Sequence, residues 1–470
     1  VELKYAMRQK SITPKNTIFV VLCFEGPDGY STAGGLGVRV DNLAAALARK
    51  GFTTHMFFIG DPDRPGDEER ERGKLILHRW CQWISKYHPN GVYDGEEHKL
   101  RDYNDSIPYY LKDHIVKPAV AEDKLVVVLG EEWHTAEVMC RVSDLLYQHG
   151  LRDSAVLFWN ANNTFSFHRI NWGRLSYTTT ITTVSRYMKH IMWEYGVNPL
   201  VIPNGIPRSL LGDIDSALAQ EVRKAVGAEI ILCKVARWDP DKRWHQAVQA
   251  TAKLKERGCR TTLLARGGME PHRGEVMNGA RQMGLTIREA WVRDSSPESY
   301  LAAIRGAAPA DIIEVKFQLP TPFLQVVYNA VDGVLANSGR EPFGLVGLEA
   351  MAAGGIVFTG STGEDYAIPF VNAFVLETAD PMEIVGHMMY IQDYPEEGGR
   401  MRRAARATAR YYTWETAILN LIAKVENQAR IQGTLRGEPE PTEEEFHPSK
   451  LPPELLPTPP KAAKSLRGAS

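Results

Sequence analysis

The chain has 470 residues, 44% of them hydrophobic and 24% charged, an ordinary globular composition in a length that favours two domains of about 200 residues each. Its 55 basic and 57 acidic side chains leave a net charge of -2, which supplies no bulk field for nucleic acid or an acidic membrane. No apolar run reaches the roughly 18 residues of a membrane span, no apolar signal core opens the chain, and five scattered cysteines lack C-x-x-C spacing, so neither a zinc site nor a disulfide framework is expected and a reducing cytoplasm is.

In chain order, "NTIFVVLCFE" (16–25) reads as a buried strand, and the helical spacing of Val40, Leu43, Ala44 and Leu47 after it predicts strand, glycine turn, helix. "HMFFIG" (55–60), "KLVVVLG" (124–130), "AVLFWN" (155–160) and "TTTITTVS" (178–185) repeat the strand signal near helical sequence, as buried parallel strands do. Residues 61–120, rich in charge, aromatics, Gly and Pro, read as an insertion with loops. Around "VIPNGIPRSLLGD" (201–213) the pattern breaks at a plausible junction. A second strand series follows in "EIILCKVARW" (229–238), "RTTLLARGG" (260–268), "DGVLANS" (332–338) and "GIVFTG" (355–360). "TWETAILNLIAKVENQARIQ" (413–432) carries a helical face of Ile418, Leu421, Ile422 and Val425, and residues 433–470, with eight prolines between 438 and 460, read as a tail. The domains expected are therefore 1–205 and 206–407, with 408–432 returning to the first as a terminal helix. Two such α/β halves make a cleft, where the carboxyl ends of strands place ligands.

Three constellations could carry chemistry there. "STAGGLG" (31–37) lets backbone approach a bound group closely and offers helix-start amides to an anion, or is simply a tight turn. In "KVARWDPDK" (234–242), Arg237 and Lys242 suit a diphosphate, or are two solvated cations. In "REPFGLVGLE" (340–349), Glu341 sits in a strand-end loop, Pro342 and Phe343 fix the turn, Gly344 and Leu345 offer amides, and Glu349 lies two turns into a helix where its carboxylate can hold a ribose diol. The alternative is an acidic helix start that complements the dipole. The "DPD" runs at 61–63 and 239–241 read as turns, with no metal expected.

Glu341-Pro-Phe-Gly-Leu with Glu349 resembles the E-x7-E signature of retaining GT-B glycosyltransferases, the group containing glycogen and starch synthases, of the family 4/5 type. "EEWHTAEVM" (131–139) is similar to their D-W-H-T-A segment, "TTVSRYMKHIM" (182–192) to their T-T-V-S helix start, and "STAGGLG", "IPNGI", "ARWDPDK", "GSTGEDYAIPFVNAFVLE" and "YTWET" have counterparts in the same order, over about residues 16–432. The resemblance implies two Rossmann-like α/β domains facing across a deep cleft, and an enzyme that moves a hexose, glucose first, from a nucleoside-diphosphate sugar to a saccharide or other hydroxyl acceptor with retained configuration and no metal or cofactor. By that similarity Arg237 and Lys242 hold the diphosphate with the loop amides of Gly34, Gly35 and Leu36 and the turn Phe343, Gly344 and Leu345. Glu349 binds the ribose, Glu341 lies beside the donor sugar, and His134 lines the cleft.

The pattern also departs from the family. Thr32 stands where starch and bacterial glycogen synthases have a lysine, and Asn160-Ala161-Asn162 stand where the family offers a strand-end histidine. Asn160, Asn162 and, from the next loop, His168 are the candidates for sugar contacts. Aromatics between 80 and 110 suit an insertion core better than a sugar platform. A nucleotide-sugar epimerase or a phosphorylase on the same scaffold, and a silent glycan- or nucleotide-binding module, are the other readings.

Overall fold

The computed structural model describes residues 11–435 and 450–456. The chain divides into two compact units, the first reaching Pro207 and resuming at Tyr412, the second running Arg208–Tyr411; the expected boundaries were 205 and 407.

The first unit is built on one sheet of eight strands: β1 (Thr17–Leu22), β2 (Thr53–Ile59), β3 (Asp67–Arg70), β4 (Leu75–Trp80), β5 (Leu125–Glu131), β6 (Ala155–Ala161), β7 (Thr180–Thr183) and β8 (Leu200–Val201). They lie in the order β3-β4-β2-β1-β5-β6-β7-β8, parallel except for the edge strand β3. Strands buried on both faces need unbroken apolar sequence, and β1, β5 and β6 have it, with Phe19, Val21, Val127 and Val156 fully buried. Helix Gly35–Arg49 covers one face with Val40, Leu43, Ala44 and Leu47, and the terminal helix Trp414–Ile431 packs its Ile418, Leu421 and Val425 into the same core, with Ile422 at its margin.

Residues 61–120 are not a loop insertion. β4 pairs in parallel with β2 from Thr54 to Ile59, so the segment extends the sheet, and helix Glu96–Tyr110 lies beyond it. Its aromatics divide: Tyr103 is fully buried and donates its hydroxyl to the carbonyls of Cys23 and Phe57, and Trp80 and Tyr110 pack edge-on against Phe57, whereas Trp83, Tyr87 and Tyr109 are exposed.

The second unit has seven parallel strands, β9 (Ile230–Val235), β10 (Thr261–Arg266), β11 (Ile287–Ala290), β12 (Ile312–Val315), β13 (Gly333–Ala336), β14 (Val357–Thr359) and β15 (Phe374–Val375), in the order β11-β12-β10-β9-β13-β14-β15. In both sheets the winding reverses between two adjacent central strands, β1 and β5 in one, β9 and β13 in the other. Loops at the carboxyl ends of such a pair diverge to opposite faces and leave a crevice, the usual ligand position in open parallel sheets.

All five cysteines are free, and among the described residues no helix is long and apolar enough to cross a membrane. Part of the expected tail is packed: Leu451 and Leu455 are buried against Val371 and Ala404, and the Leu455 carbonyl accepts from Arg400 Nη1 at 3.0 Å. The rest of 436–470 lies outside the described residues. Prolines removed the helical signal, but two leucines at the right spacing sufficed to dock the segment. Leu451→Ala should lower the unfolding free energy by about 2 kcal/mol, read by urea denaturation; an unchanged midpoint would mean that the segment does not hold the second unit.

Candidate functional site

The richest constellation of the second unit gathers at the carboxyl ends of β9 and β13. After β9 the chain turns through Arg237, Trp238 and a short 3-10 turn, Pro240–Lys242, whose start Asp239 caps by accepting from the Asp241 amide at 2.9 Å. Asp241 then clips the neighbouring loop, its carbonyl accepting from Gly339 N at 2.7 Å and its carboxylate from Arg340 N at 3.0 Å. The acids of this "DPD" are thus turn and clip residues. That clip delivers Lys242 to Glu341: Nζ to Oε2 is 2.7 Å, with both side chains about one-fifth exposed at 21% and 22%. Arg237 is exposed and makes no ion pair among the described residues, while Trp238 beside it is buried against Trp244.

After Glu341, Phe343 is buried edge-on against Tyr366, and Gly344 turns the chain with φ 77° into helix Leu345–Ala352, whose first turn has no side-chain cap. A side chain at 344 is excluded twice, by that left-handed backbone and by space, since a Cβ would sit 2.7 Å from Glu364 Cγ. The uncapped amides at Leu345 therefore stay open to an anion. Glu349 lies in the second turn; its carboxyl has no hydrogen-bond or ion-pair partner among the described residues, and burial pushes it up to about 7. Glu341, Lys242, Gly344, Leu345 and Glu349 are brought together; Phe343 anchors the turn from beneath.

Four residues of this site were not read from the sequence. Glu364 is buried beside the Gly344 turn with Oε1 unpartnered, and burial pushes it up to about 8. Thr362 accepts from the Glu341 amide at 2.9 Å, and the Gly363 amide donates to the Glu341 carbonyl at 2.8 Å. Lys234, in mid-strand, is buried and donates Nζ to Asn337 Oδ1 at 2.6 Å and to the Leu335 carbonyl at 3.1 Å, which ties β9 to the loop after β13. Burial, aided by the nearby Lys242, pulls its ammonium down to about 7. The available signal was a lone lysine inside the apolar run "IILCKV".

In the first unit the expected anion loop is filled from within. The Glu25 carboxylate accepts from the amides of Ala33, Gly34 and Gly37 at 3.1–3.2 Å, and Tyr93 donates to its other oxygen at 2.6 Å. Gly35 and Leu36 open helix Gly35–Arg49 above it. The acid that ends "VVLCFE" was the missed signal. His134 is 4% exposed, stacked on Phe24 and tilted against Trp133, with Nε2 2.7 Å from Glu96 Oε1; burial holds its imidazole below the usual range. Its place is a packed pair at the β5 end. Asn160 has no free amide atom: its NH2 donates to Glu131 and Asn162, and its oxygen accepts from Thr182 at 2.9 Å. Asn162 likewise donates to Glu131 at 2.9 Å, and Glu131 pairs with the buried Arg39. Glu132, at φ 67°, accepts from the Asn162 amide at 2.6 Å, and burial pushes its carboxyl up to about 8. His168 is exposed on a 3-10 turn.

Set beside known proteins, these two open parallel sheets have the GT-B fold of glycosyltransferases. Residues 216–408, nearly the whole second unit, match the family model described as glycosyl transferases group 1. The D-inositol 3-phosphate glycosyltransferase of Actinosynnema mirum is 29% identical over 177 residues, 36% of this chain and 37% of that one, so the match spans little more than a third of the relative. Sucrose-phosphate synthase from Thermosynechococcus elongatus superposes with a TM-score of 0.61 at 18% identity, covering 88% of this chain and 99% of its own. The catalytic domain of starch synthase IV from Arabidopsis thaliana, bound to ADP and acarbose, gives 0.61 at 17% identity, covering 89% and 99%.

The buried lysine sets a pH test. Its folded value, about 7, lies below the unfolded 10.5, so between those values only the unfolded chain holds the proton. Stability from this group is complete above pH 10.5 and is lost as pH falls towards 7. The raised carboxyls act oppositely, losing stability as pH rises from 4.5 to about 8, and the raised cysteines and tyrosines do the same above pH 9, so the lysine shows itself in the difference between the wild type and a variant that lacks it. The wild-type urea midpoint minus that of Lys234→Met should therefore rise between pH 8 and about 10; a difference independent of pH would show that Lys234 is charged in the fold.

Proposed function

We propose that the protein is a retaining glycosyltransferase that moves a hexose, glucose first, from a nucleoside-diphosphate sugar to a saccharide or other hydroxyl acceptor without a metal ion. The observation that carries this reading is the uncapped helix start at Leu345 beside the Lys242–Glu341 pair, with the unpartnered Glu349 one turn further on. Cleaving a glycosyl phosphate builds positive charge on the sugar ring and negative charge on the diphosphate. Fixed amides and cations at the phosphate therefore stabilise the transition state more than the ground state.

In this reading the diphosphate takes the amides of Gly344 and Leu345, Arg237 supplies its exposed guanidinium, and Lys242 turns from Glu341 to the phosphate. Glu341 then faces the donor sugar, and Glu349 accepts from the ribose hydroxyls. Two amides and two cations make a divalent ion unnecessary. No nucleophile paired with a base stands at the turn, which favours front-face displacement, the departing phosphate taking the acceptor proton, over a covalent intermediate. The ADP held by the starch synthase IV structure supports a nucleoside diphosphate as leaving group.

A second reading, a silent nucleotide-binding module, is favoured by the packed His134 and the committed Asn160. The experiment that separates the two starts with thermal protection by UDP-, ADP- and GDP-hexoses, where a ligand at about 100 times its Kd adds about 2.7 kcal/mol. Protection by none of them removes both readings, and protection without transfer to any acceptor leaves the silent module. Glu341→Ala and Lys242→Ala should each cut transfer by about 100-fold or more. Glu349→Gln should weaken nucleotide binding by about 10-fold with a smaller effect on kcat; wild-type values for all three would place the site elsewhere.

A further inference from the structure

We propose that His245, His272 and Glu275 bind a divalent transition-metal ion, with zinc the metal their donors suit. The three lie in the second unit, outside the constellation above. His245 opens the first turn of helix Trp244–Glu256, and His272 and Glu275 share the first turn of helix His272–Gln282. One ligand atom from each lies within 4.8 Å of the other two. His245 Nε2 is 3.2 Å from Glu275 Oε1, and His272 Nδ1 is 3.0 Å from Oε2. Zinc bonds of about 2.0–2.1 Å at tetrahedral angles set ligand atoms about 3.3 Å apart, so each imidazole already stands near that spacing from the carboxylate, and the two imidazoles lie within 4.8 Å of each other.

Two further observations point to a cation. Glu275 pairs with these imidazoles and with no lysine or arginine among the described residues, so its charge lacks a permanent counterion. His272 is held by that carboxylate through Nδ1, its side chain is 11% exposed, and its Nε2 is buried with no hydrogen-bond partner. Nδ1 is the nitrogen turned towards the Glu275 carboxylate, so it is the atom that would hold the ion, with the ring proton then carried on Nε2. Two imidazoles and a carboxylate select zinc over magnesium or calcium, and three protein ligands leave a position for water.

The ion would act on the fold around the turn rather than on the reaction. Its ligands join the helix that follows Lys242 to the segment after β10, where Glu270 accepts from the Trp238 amide at 3.0 Å. Zinc would therefore brace the backbone behind Arg237 and Lys242 without touching the diphosphate.

The test uses the full chain stripped with EDTA and titrated with zinc chloride by calorimetry, with cobalt as a spectroscopic probe. One saturable equivalent, a raised melting temperature and visible cobalt bands are expected, and His245→Ala, His272→Ala and the shape-preserving Glu275→Gln should each weaken binding by about 100-fold or more. Metal-free melting temperatures of the variants should match that of the metal-free wild type. Absence of a saturable equivalent, or binding that survives all three substitutions, overturns the site.

Discussion

The geometry of the second unit's site depends on the clasp between the segment after β14 and the backbone of Glu341–Pro342. Gly363 lies so close that a Cβ there would meet both the Glu341 and Pro342 carbonyl oxygens at 2.2 Å, while Thr362 closes the ring of hydrogen bonds. Loop carboxylates ordinarily sample many positions. Here the main chain of Glu341 is held from the β14 side by Thr362 and Gly363, and the loop before it from the β9 side by Asp241. A group intended to meet developing charge must be in place beforehand, because reorganisation during reaction forfeits the stabilisation it offers.

Two helix starts show how the same backbone motif takes opposite roles. Both helices Gly35–Arg49 and Leu345–Ala352 begin with glycine and without a side-chain cap of their own. At the first, Glu25 from the preceding strand end supplies a permanent carboxylate to three amides, so the positive end of the dipole is already answered. At the second, nearby Glu341 is drawn to Lys242 and Glu364 keeps a buried, unpartnered oxygen. The amides at Leu345 are left without such a carboxylate, the opposite of the arrangement at Gly35.

Periodicity and turn chemistry made most of the fold legible. β1, β5, β6, β9 and β10 are apolar runs, and the stripe on helix Gly35–Arg49 is buried as its spacing requires. What escaped were mixed strands: β4 carries His78, Arg79 and Trp80, β11 carries Arg288 and Glu289, and the short apolar run of β12 is broken by Glu314. The Glu341–Glu349 motif was legible because its spacing is local. The Glu364 neighbour and the commitment of Asn160 to Glu131 and Thr182 join residues far apart in the chain, and no local pattern reports them, whereas the Glu25 plug is local and its signal, the acid ending "VVLCFE", was passed over.

Charge burial supplies the last step. A buried ammonium and two sheltered carboxyls cluster where β9 and β13 end, each displaced towards neutrality by burial, as the values near 7 for Lys234 and Glu349 and near 8 for Glu364 record. A chain selected for stability alone would fill those positions with apolar side chains, since unpaired buried polar groups cost free energy that packing would recover. Their concentration at one strand-end crevice is thus evidence for use there. In the first unit Glu132 is equally displaced, but its carboxylate takes the Asn162 amide and its carbonyl takes Trp159 Nε1 at 3.0 Å, the signature of a satisfied structural corner. Partnership separates the two cases: Glu349 has no partner for its carboxylate and Glu364 keeps Oε1 unpartnered among the described residues, whereas Glu132 is satisfied.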